Sequence, residues 1–337
     1  MKPNFAMWRK AVVVIPRIND EEWHALDFVS RWLISTRFSA IIMTVIAALI
    51  AGILAFRFET INIGMWFVFA VALVLAHATN NTLNDLVDYK RGVDRGNYFR
   101  DQYGPQPLER GFMSARSQLL FAAANGVLAI AGGIALIFYR DGMTLPLMLI
   151  GAFFVLFYTY PLKYFALGEI SLVIVYGPLI IGGGYYALTG SWSWSAVLAS
   201  LPFAIGVSAT LFGKHIDKID MDREKRVHTL PVVIGERASR VVVIVMIALQ
   251  YLITGYMIFI HYFTPVLAVT LLALPYFFRV LLPMYRRPRP SERPARYPEE
   301  RWPLWFVGSA FRFTRRFGML YVLGIMVDTA LHLLMLR

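Results

Sequence analysis

Residues 63–94 read IGMWFVFAVALVLAHATNNTLNDLVDYKRGVD, an apolar run that ends in a knot of amides, acids and bases. Its apolar part matches the roughly 20 residues that a helix needs to cross a hydrocarbon core about 30 Å thick. Working outward, eight comparable blocks lie at 38–56, 119–139, 145–161, 170–187, 195–213, 241–260, 265–282 and 318–336. Backbone polar groups cannot stay unpaired in lipid, so each block is expected to be helical. The 337 residues are 58% hydrophobic and only 16% charged, with a mean hydropathy of +0.57. A soluble domain of that length would need more charge to coat its surface. The expected fold class is an all-α membrane protein of about nine transmembrane helices.

Charge orients the bundle. With the N-terminus cytoplasmic, the outward connections and the C-terminal end carry only Arg57, Arg140 and Arg337 of the 33 Lys and Arg residues. That asymmetry is what the positive-inside rule requires. The cytoplasmic loops are then 85–117, 214–240 and 285–317, long for a compact bundle and so candidates for function. The third, with its RRPRPSERPARYPEERWP, reads as an extended linker facing lipid. Residues 1–35 lack the short apolar core of a cleavable signal. They read as a cytoplasmic arm that lies along the membrane through Trp8, Val12, Val13, Val14 and Ile15, ahead of a single membrane domain at 36–337. Glycine-rich or interrupted stretches at Gly177-Pro178 and Gly182 to Gly184 suit close helix packing or a kink. The net charge of +12 sits between apolar spans, which points to lipid headgroups or an anionic substrate and away from nucleic acid. With no cysteine, disulfides, thiolate metal sites and cysteine nucleophiles are excluded.

Two constellations carry chemistry. In the first, Asn84, Asp85 and Asp88 are spaced so that Asp88 shares a helix face with either of the others. Carboxylates crowded at the end of an apolar span repel one another unless a cation joins them. A hard ion such as Mg²⁺ fits, bound by one or two carboxylates and a substrate's phosphate oxygens. The plain alternative is a solvated helix end where the acids pair with Lys90, Arg91 and Arg95. The second constellation, Lys214 to Arg226, again mixes acids and bases at the end of a span. Two such clusters on one membrane face form a natural diphosphate site, in which metal ions neutralise bridging oxygens and Arg or Lys clamps the rest. The six histidines show no metal-ligand spacing; His77 lies inside a span, and His215 and His228 flank the second cluster.

These residues resemble the UbiA superfamily of intramembrane prenyltransferases, nearest to its menaquinone-type branch, which prenylates dihydroxynaphthoate and related quinone precursors. The family's N-D-x-x-D followed by K-x-G-x-D is met by Asn84, Asp85, Asp88, Lys90, Gly92 and Asp94. Its second motif is met by Asp222, Arg223, Thr229, Leu230 and Gly235, and FYTYPLKYFALGE at 157–169 is similar to the branch's Tyr-Thr…Leu-Lys-Tyr…Leu-Gly-Glu segment. The chain departs from the pattern in three places. The Tyr158-Thr159 segment lacks the usual paired glycines. Lys218 stands where the family has an aspartate, leaving Asp217 and Asp220 as substitutes. The glycine before Thr229-Leu230 is also missing.

The resemblance implies Mg²⁺ as cofactor, with ligands from Asn84, Asp85, Asp88, Asp217, Asp220 and Asp222. Asn84, Lys90, Arg91, Arg95, Lys163, Lys218 and Arg223 would grip the diphosphate of an isoprenyl donor whose tail enters the bundle. Tyr89, Tyr158 and Tyr160 would face the prenyl cation or an aromatic acceptor. Asp88, Asp94, Asp217 and Asp222 are the catalytic candidates, with Asp94 or Asp217 open as either proton acceptor or metal ligand. The implied reaction is polyprenyl transfer to a lipid-quinone precursor at the cytoplasmic face of a bacterial or archaeal membrane. Asp217 and Asp222, five apart, could share a metal only if the helix breaks between them. Rival readings are the same reaction on hydroxybenzoate, homogentisate, a glycerol-phosphate lipid or a tetrapyrrole, a transporter of an anionic metabolite, or a purely structural membrane subunit. The acids gather at one face and not at mid-bilayer, which disfavours transport, and a structural role leaves the paired motifs unexplained.

Overall fold

The computed structural model describes residues 2–96 and 104–335. Residues 97–103 of the first expected loop, and the end of the last expected span at Leu336, lie outside them. Three short helices, α1 (Phe5–Val13), α2 (Asp20–Ala25) and α3 (Phe28–Ser35), precede the bundle. The long helices are α4 (Phe38–Phe58), α5 (Ile63–Lys90), α6 (Ala115–Tyr139), α7 (Thr144–Phe157), α8 (Gly168–Thr189) and α9 (Trp194–Asp217). Short α10 (Ile219–Glu224) and α11 (Leu230–Ile234) lead to α12 (Glu236–Phe259), α13 (Pro265–Tyr285) and α14 (Phe306–Met335). No strand occurs among the described residues.

Eight of these helices are long and apolar enough to cross a membrane, and α7, with 14 residues, is the shorter ninth. At 1.5 Å per residue α7 reaches only about 21 Å. The expected block ran to Pro161; the helix stops at Phe157, whose carbonyl would need the N–H of residue 161, a proline with none to give. The chain then folds back through the short 3₁₀ turn Leu162–Tyr164. Conversely, α14 starts at Phe306, well before the expected 318, so the end of the expected third loop, 306–317, is helix.

Burial ranks the helices. The most apolar stretches of α9 and α4 are 83% and 72% buried inside the protein, against 17% for α5 and α6, which leave broad faces for lipid. Small residues make the centre possible: Ala47, Ala48, Ala51 and Ala55 of α4 are buried. At Gly52 a methyl would overlap the Trp66 indole, whose Nε1 donates to the Ala48 carbonyl at 2.9 Å. Without a hydrophobic drive in lipid, such close backbone approach and interhelical hydrogen bonds hold the pair together. Within α8 a π-helical turn runs over Val175–Gly182 and contains Pro178, the place where the sequence called for a kink. The proline cannot donate to the helical ladder, and the wider turn absorbs that loss.

Candidate active site

The end of α5 carries the first motif. Asn84, Asp85 and Asp88 are all buried, and each has found a partner. Lys163 Nζ donates to both oxygens of Asp88, at 2.7 and 2.9 Å. Asn84 Nδ2 donates to Thr159 Oγ1 at 3.0 Å. Arg37, which holds a left-handed conformation (φ 53°) at the start of α4, reaches Asn84 Oδ1 at 3.3 Å and Asp85 at 3.4 Å. The 158–164 fold-back is thus what returns Lys163 to the acids. Burial pushes the Lys163 ammonium below the ordinary lysine value, against the opposing pull of the Asp88 carboxylate.

The second motif sits at a helix break. α9 ends at Asp217 and α10 begins at Ile219, so Lys218 lies between them. Lys218 Nζ donates to Asp222 Oδ1 at 2.7 Å, and the other oxygen of this buried carboxylate accepts no hydrogen bond. The two motifs are also laced together at the backbone: Lys225 Nζ donates to the carbonyls of Gly92 (3.1 Å) and Arg95 (3.0 Å). Val93, Tyr164 and Val227 pack into a small cluster beneath that lacing.

A cavity of about 990 Å³ opens at this end of the bundle. Asn84, Asp88, Asp94, Lys163, Lys218 and Tyr158 line its polar part. Phe69, Leu73, Leu136, Leu147, Met148 and Tyr176 line its apolar depth. From Asp88 to Phe69 along α5 is about 28 Å at 1.5 Å per residue, close to a bilayer's hydrocarbon thickness.

The other expected site residues lie elsewhere. Asp217 accepts from the backbone amides of Phe306 and Val307, both at 2.9 Å, and so satisfies the unpaired N–H groups that open α14. Asp220 is exposed and pairs at 3.2 Å with the equally outward Arg223. Lys90 and Arg95 are exposed, and Tyr89 does not line the cavity. Arg91 stacks over the rings of Tyr160 and Tyr164, with centroids at 4.1 and 4.7 Å. Sequence reasoning missed Arg37, and it missed the buried contact between Glu169 and His215 Nδ1 at 2.6 Å. A charged residue at the threshold of the first span was the available signal for Arg37. The expected arm and linker also differ: Val13, Val14, Ile15 and Pro16, together with Arg301 and Leu304, roof the cavity.

No group of three or more His, Asp or Glu side chains poised for a metal occurs among the described residues. The donors nonetheless fit a hard cation. All are oxygens, and Asp222 brings a buried carboxylate oxygen with no partner, which an oxygen-seeking ion would satisfy.

Comparison with known proteins agrees with this architecture. The model of the UbiA prenyltransferase family matches residues 40–308. A UbiA prenyltransferase domain-containing protein 1 homolog from Drosophila melanogaster is 22% identical, over 87% of this chain and 78% of its own length. A 2-carboxy-1,4-naphthoquinone phytyltransferase from a Synechocystis strain is 27% identical, over 58% of this chain and 62% of its own. Among solved structures, a UbiA homolog from Aeropyrum pernix K1 superposes with a TM-score of 0.64 at 19% identity, covering 85% of this chain and 97% of that one. A UbiA homolog from Archaeoglobus fulgidus, bound to GPP and Mg²⁺, superposes with a TM-score of 0.57 at 15% identity, covering 86% and 98%.

Proposed function

The chain belongs to the UbiA prenyltransferase family, and from that premise we propose that it transfers a polyprenyl group from an isoprenyl diphosphate to an aromatic acceptor in menaquinone-type lipid-quinone synthesis, releasing diphosphate. The observation that carries the reading is the linked Asp88–Lys163 and Lys218–Asp222 pairs at the mouth of a deep apolar cavity. The tail lies in the cavity and the diphosphate meets the lysines. Phosphate oxygens compete with Asp88 and Asp222 for those ammonium groups, so donor binding releases carboxylate oxygens. Asn84, Asp85, Asp88 and Asp222 would hold Mg²⁺, which supplies neutralisation of the diphosphate oxygens as the allylic C–O bond breaks. The ring face of Tyr158, which lines the cavity's polar part, stabilises the resulting cationic character. Asp94, buried on the cavity wall, accepts the proton lost by the acceptor ring. The positive-inside count supports a cytoplasmic position for this end of the bundle.

The test uses purified protein in lipid nanodiscs with a radiolabelled polyprenyl diphosphate and naphthoate, hydroxybenzoate, homogentisate and glycerol-phosphate acceptors. Turnover should require Mg²⁺ and favour the naphthoate. Asp88→Ala and Asp222→Ala should each lower kcat by about 10²–10³, the scale seen when transition-state charge loses its partner. Full activity in both variants would sink the proposal.

A further inference from the structure

The cavity holds more positive charge than a diphosphate uses. Among the described residues, nine Lys and Arg side chains line it against two carboxylates, those of Asp88 and Asp94. The cations fall into two groups. Arg37, Lys163, Lys214 and Lys218 stand with the acidic motifs. Lys10, Arg17, Arg301, Arg312 and Arg315 stand on the roof and on α14, and no acid from those elements faces the cavity.

The α14 contribution has a regular cause. Val307, Gly308, Phe311, Arg312 and Arg315 all line the cavity, and their spacing of three and four is one face of a helix. Asp217 fixes where that helix begins by binding its first amides, and Arg289 ties the approaching loop to the Asp217 carbonyl at 2.7 Å. Arg17 of the arm donates to the Glu299 and Trp302 carbonyls, joining the roof to the same loop. Arg315 is half-buried and makes no hydrogen bond or ion pair among the described residues, and Arg312 donates to the Gly308 carbonyl of its own helix and stands over the Tyr276 ring of α13, 5.8 Å from its centroid. Two half-buried guanidinium groups on the cavity-lining face that also carries Phe311, neither paired with an acid among the described residues, form a receptor for an anion.

We infer that Arg312 and Arg315, backed by Arg301, form an acceptor subsite separate from the diphosphate site, which takes an aromatic ring against Phe311 and binds its carboxylate or phosphate group. The inference rests on the prenyl-transfer reading and assigns its acceptor side: this chain selects an anionic acceptor through its last helix.

The experiment compares two acceptors that differ only in the carboxylate, 1,4-dihydroxy-2-naphthoate and 1,4-dihydroxynaphthalene, in wild type, Arg315→Gln, Arg312→Gln and Arg315→Lys. The ratio of the KM for the carboxylated acceptor to that for the uncharged one should rise about tenfold in each Gln variant, as expected for one lost charge-assisted hydrogen bond. Arg315→Lys should recover part of it. Equilibrium dialysis of 1-hydroxy-2-naphthoate against 2-naphthol reads the same discrimination without turnover, so it decides the matter even if no acceptor is prenylated and the functional reading fails. Anionic lipid headgroups are the other source of such an anion, and all measurements are repeated in phosphatidylcholine-only nanodiscs. An unchanged ratio overturns the subsite, as does equal weakening of both ligands or an effect confined to anionic lipid.

Discussion

Asp217 and Asp220 show how far single residues were legible. On an unbroken helix they are three apart and share a face, which made them natural stand-ins for the aspartate replaced by Lys218. The helix breaks at Lys218, and that break turns Asp222 inward, Asp220 outward and Asp217 toward the start of α14. Nothing local in the sequence says that amides some ninety positions away (|i−j| of 89 and 90) need an acceptor. By contrast, the shared helix face of Asn84 and Asp88 was legible because motif spacing on a helix is a short-range property; Lys163, 75 residues from Asp88, was expected only through the family resemblance. The two kinds of acid separate experimentally. Asp217→Asn should cost about 1–3 kcal/mol of stability by weakening two charged acceptor bonds. It should lower the apparent melting temperature in detergent and leave the Mg²⁺ concentration for half-maximal turnover unchanged. Asp220→Ala should alter neither, since an exposed pair contributes about 0–1 kcal/mol. A shifted Mg²⁺ requirement in either variant would return that residue to the metal site.

At the scale of elements, helix type and approximate length were legible, and ends were not. α7 is short because Pro161 closes it, and Gly151 on that helix lines the cavity. A side chain built there meets nothing within 4 Å, so the position opens onto the void. Gly151→Leu should keep the helix, since leucine is the better helix former by nearly 1 kcal/mol. It should cut kcat/KM for long isoprenyl diphosphates about tenfold relative to geranyl diphosphate, the effect of one overpacked side chain. An unchanged preference would show that the tail leaves by another route. The arm depends on Asp27, an anchor the sequence did not flag because its partners are spread along the arm. Burial pushes this carboxyl up, but donors from Ser30, Trp8 and Asn4 outweigh that and hold it well below the usual carboxylate range. The folded value lies under the unfolded one. The stabilisation is therefore complete above about pH 4 and lost as the pH falls further. Asp27→Asn at neutral pH should lose hydrogen-exchange protection over residues 4–35, and wild type near pH 3 should lose part of it. Full protection in both would remove Asp27 as the anchor.

For the whole molecule, the nine apolar blocks and the charge asymmetry were legible because they are sums over many residues, insensitive to any one. The closing of the arm and third loop over the cavity was not, because composition carries no record of which distant segments meet. The same blindness covers the opposite end of the bundle, where the last span holds an acid, Asp328. An ionisable residue inside a span is by default a functional candidate. Here it is fully buried and ion-paired with Arg57 at the end of α4, and it also accepts from the Thr264 amide at 2.6 Å. Arg57 in turn lies over the rings of Phe58, Tyr262 and Phe263. The pair therefore pins the first and last long helices and the α12–α13 connection at the end remote from the chemistry. A buried pair is costly to desolvate, so its presence alone does not argue for stability; breaking one half does reveal its role. Arg57→Met or Asp328→Leu alone should destabilise by about 3–5 kcal/mol, whereas the double variant should return close to wild type. Thermal unfolding of the three variants in detergent, combined as a double-mutant cycle, measures this coupling. Additive losses would mean that the two residues act separately and that packing of α4 against α14 closes this end of the bundle without them.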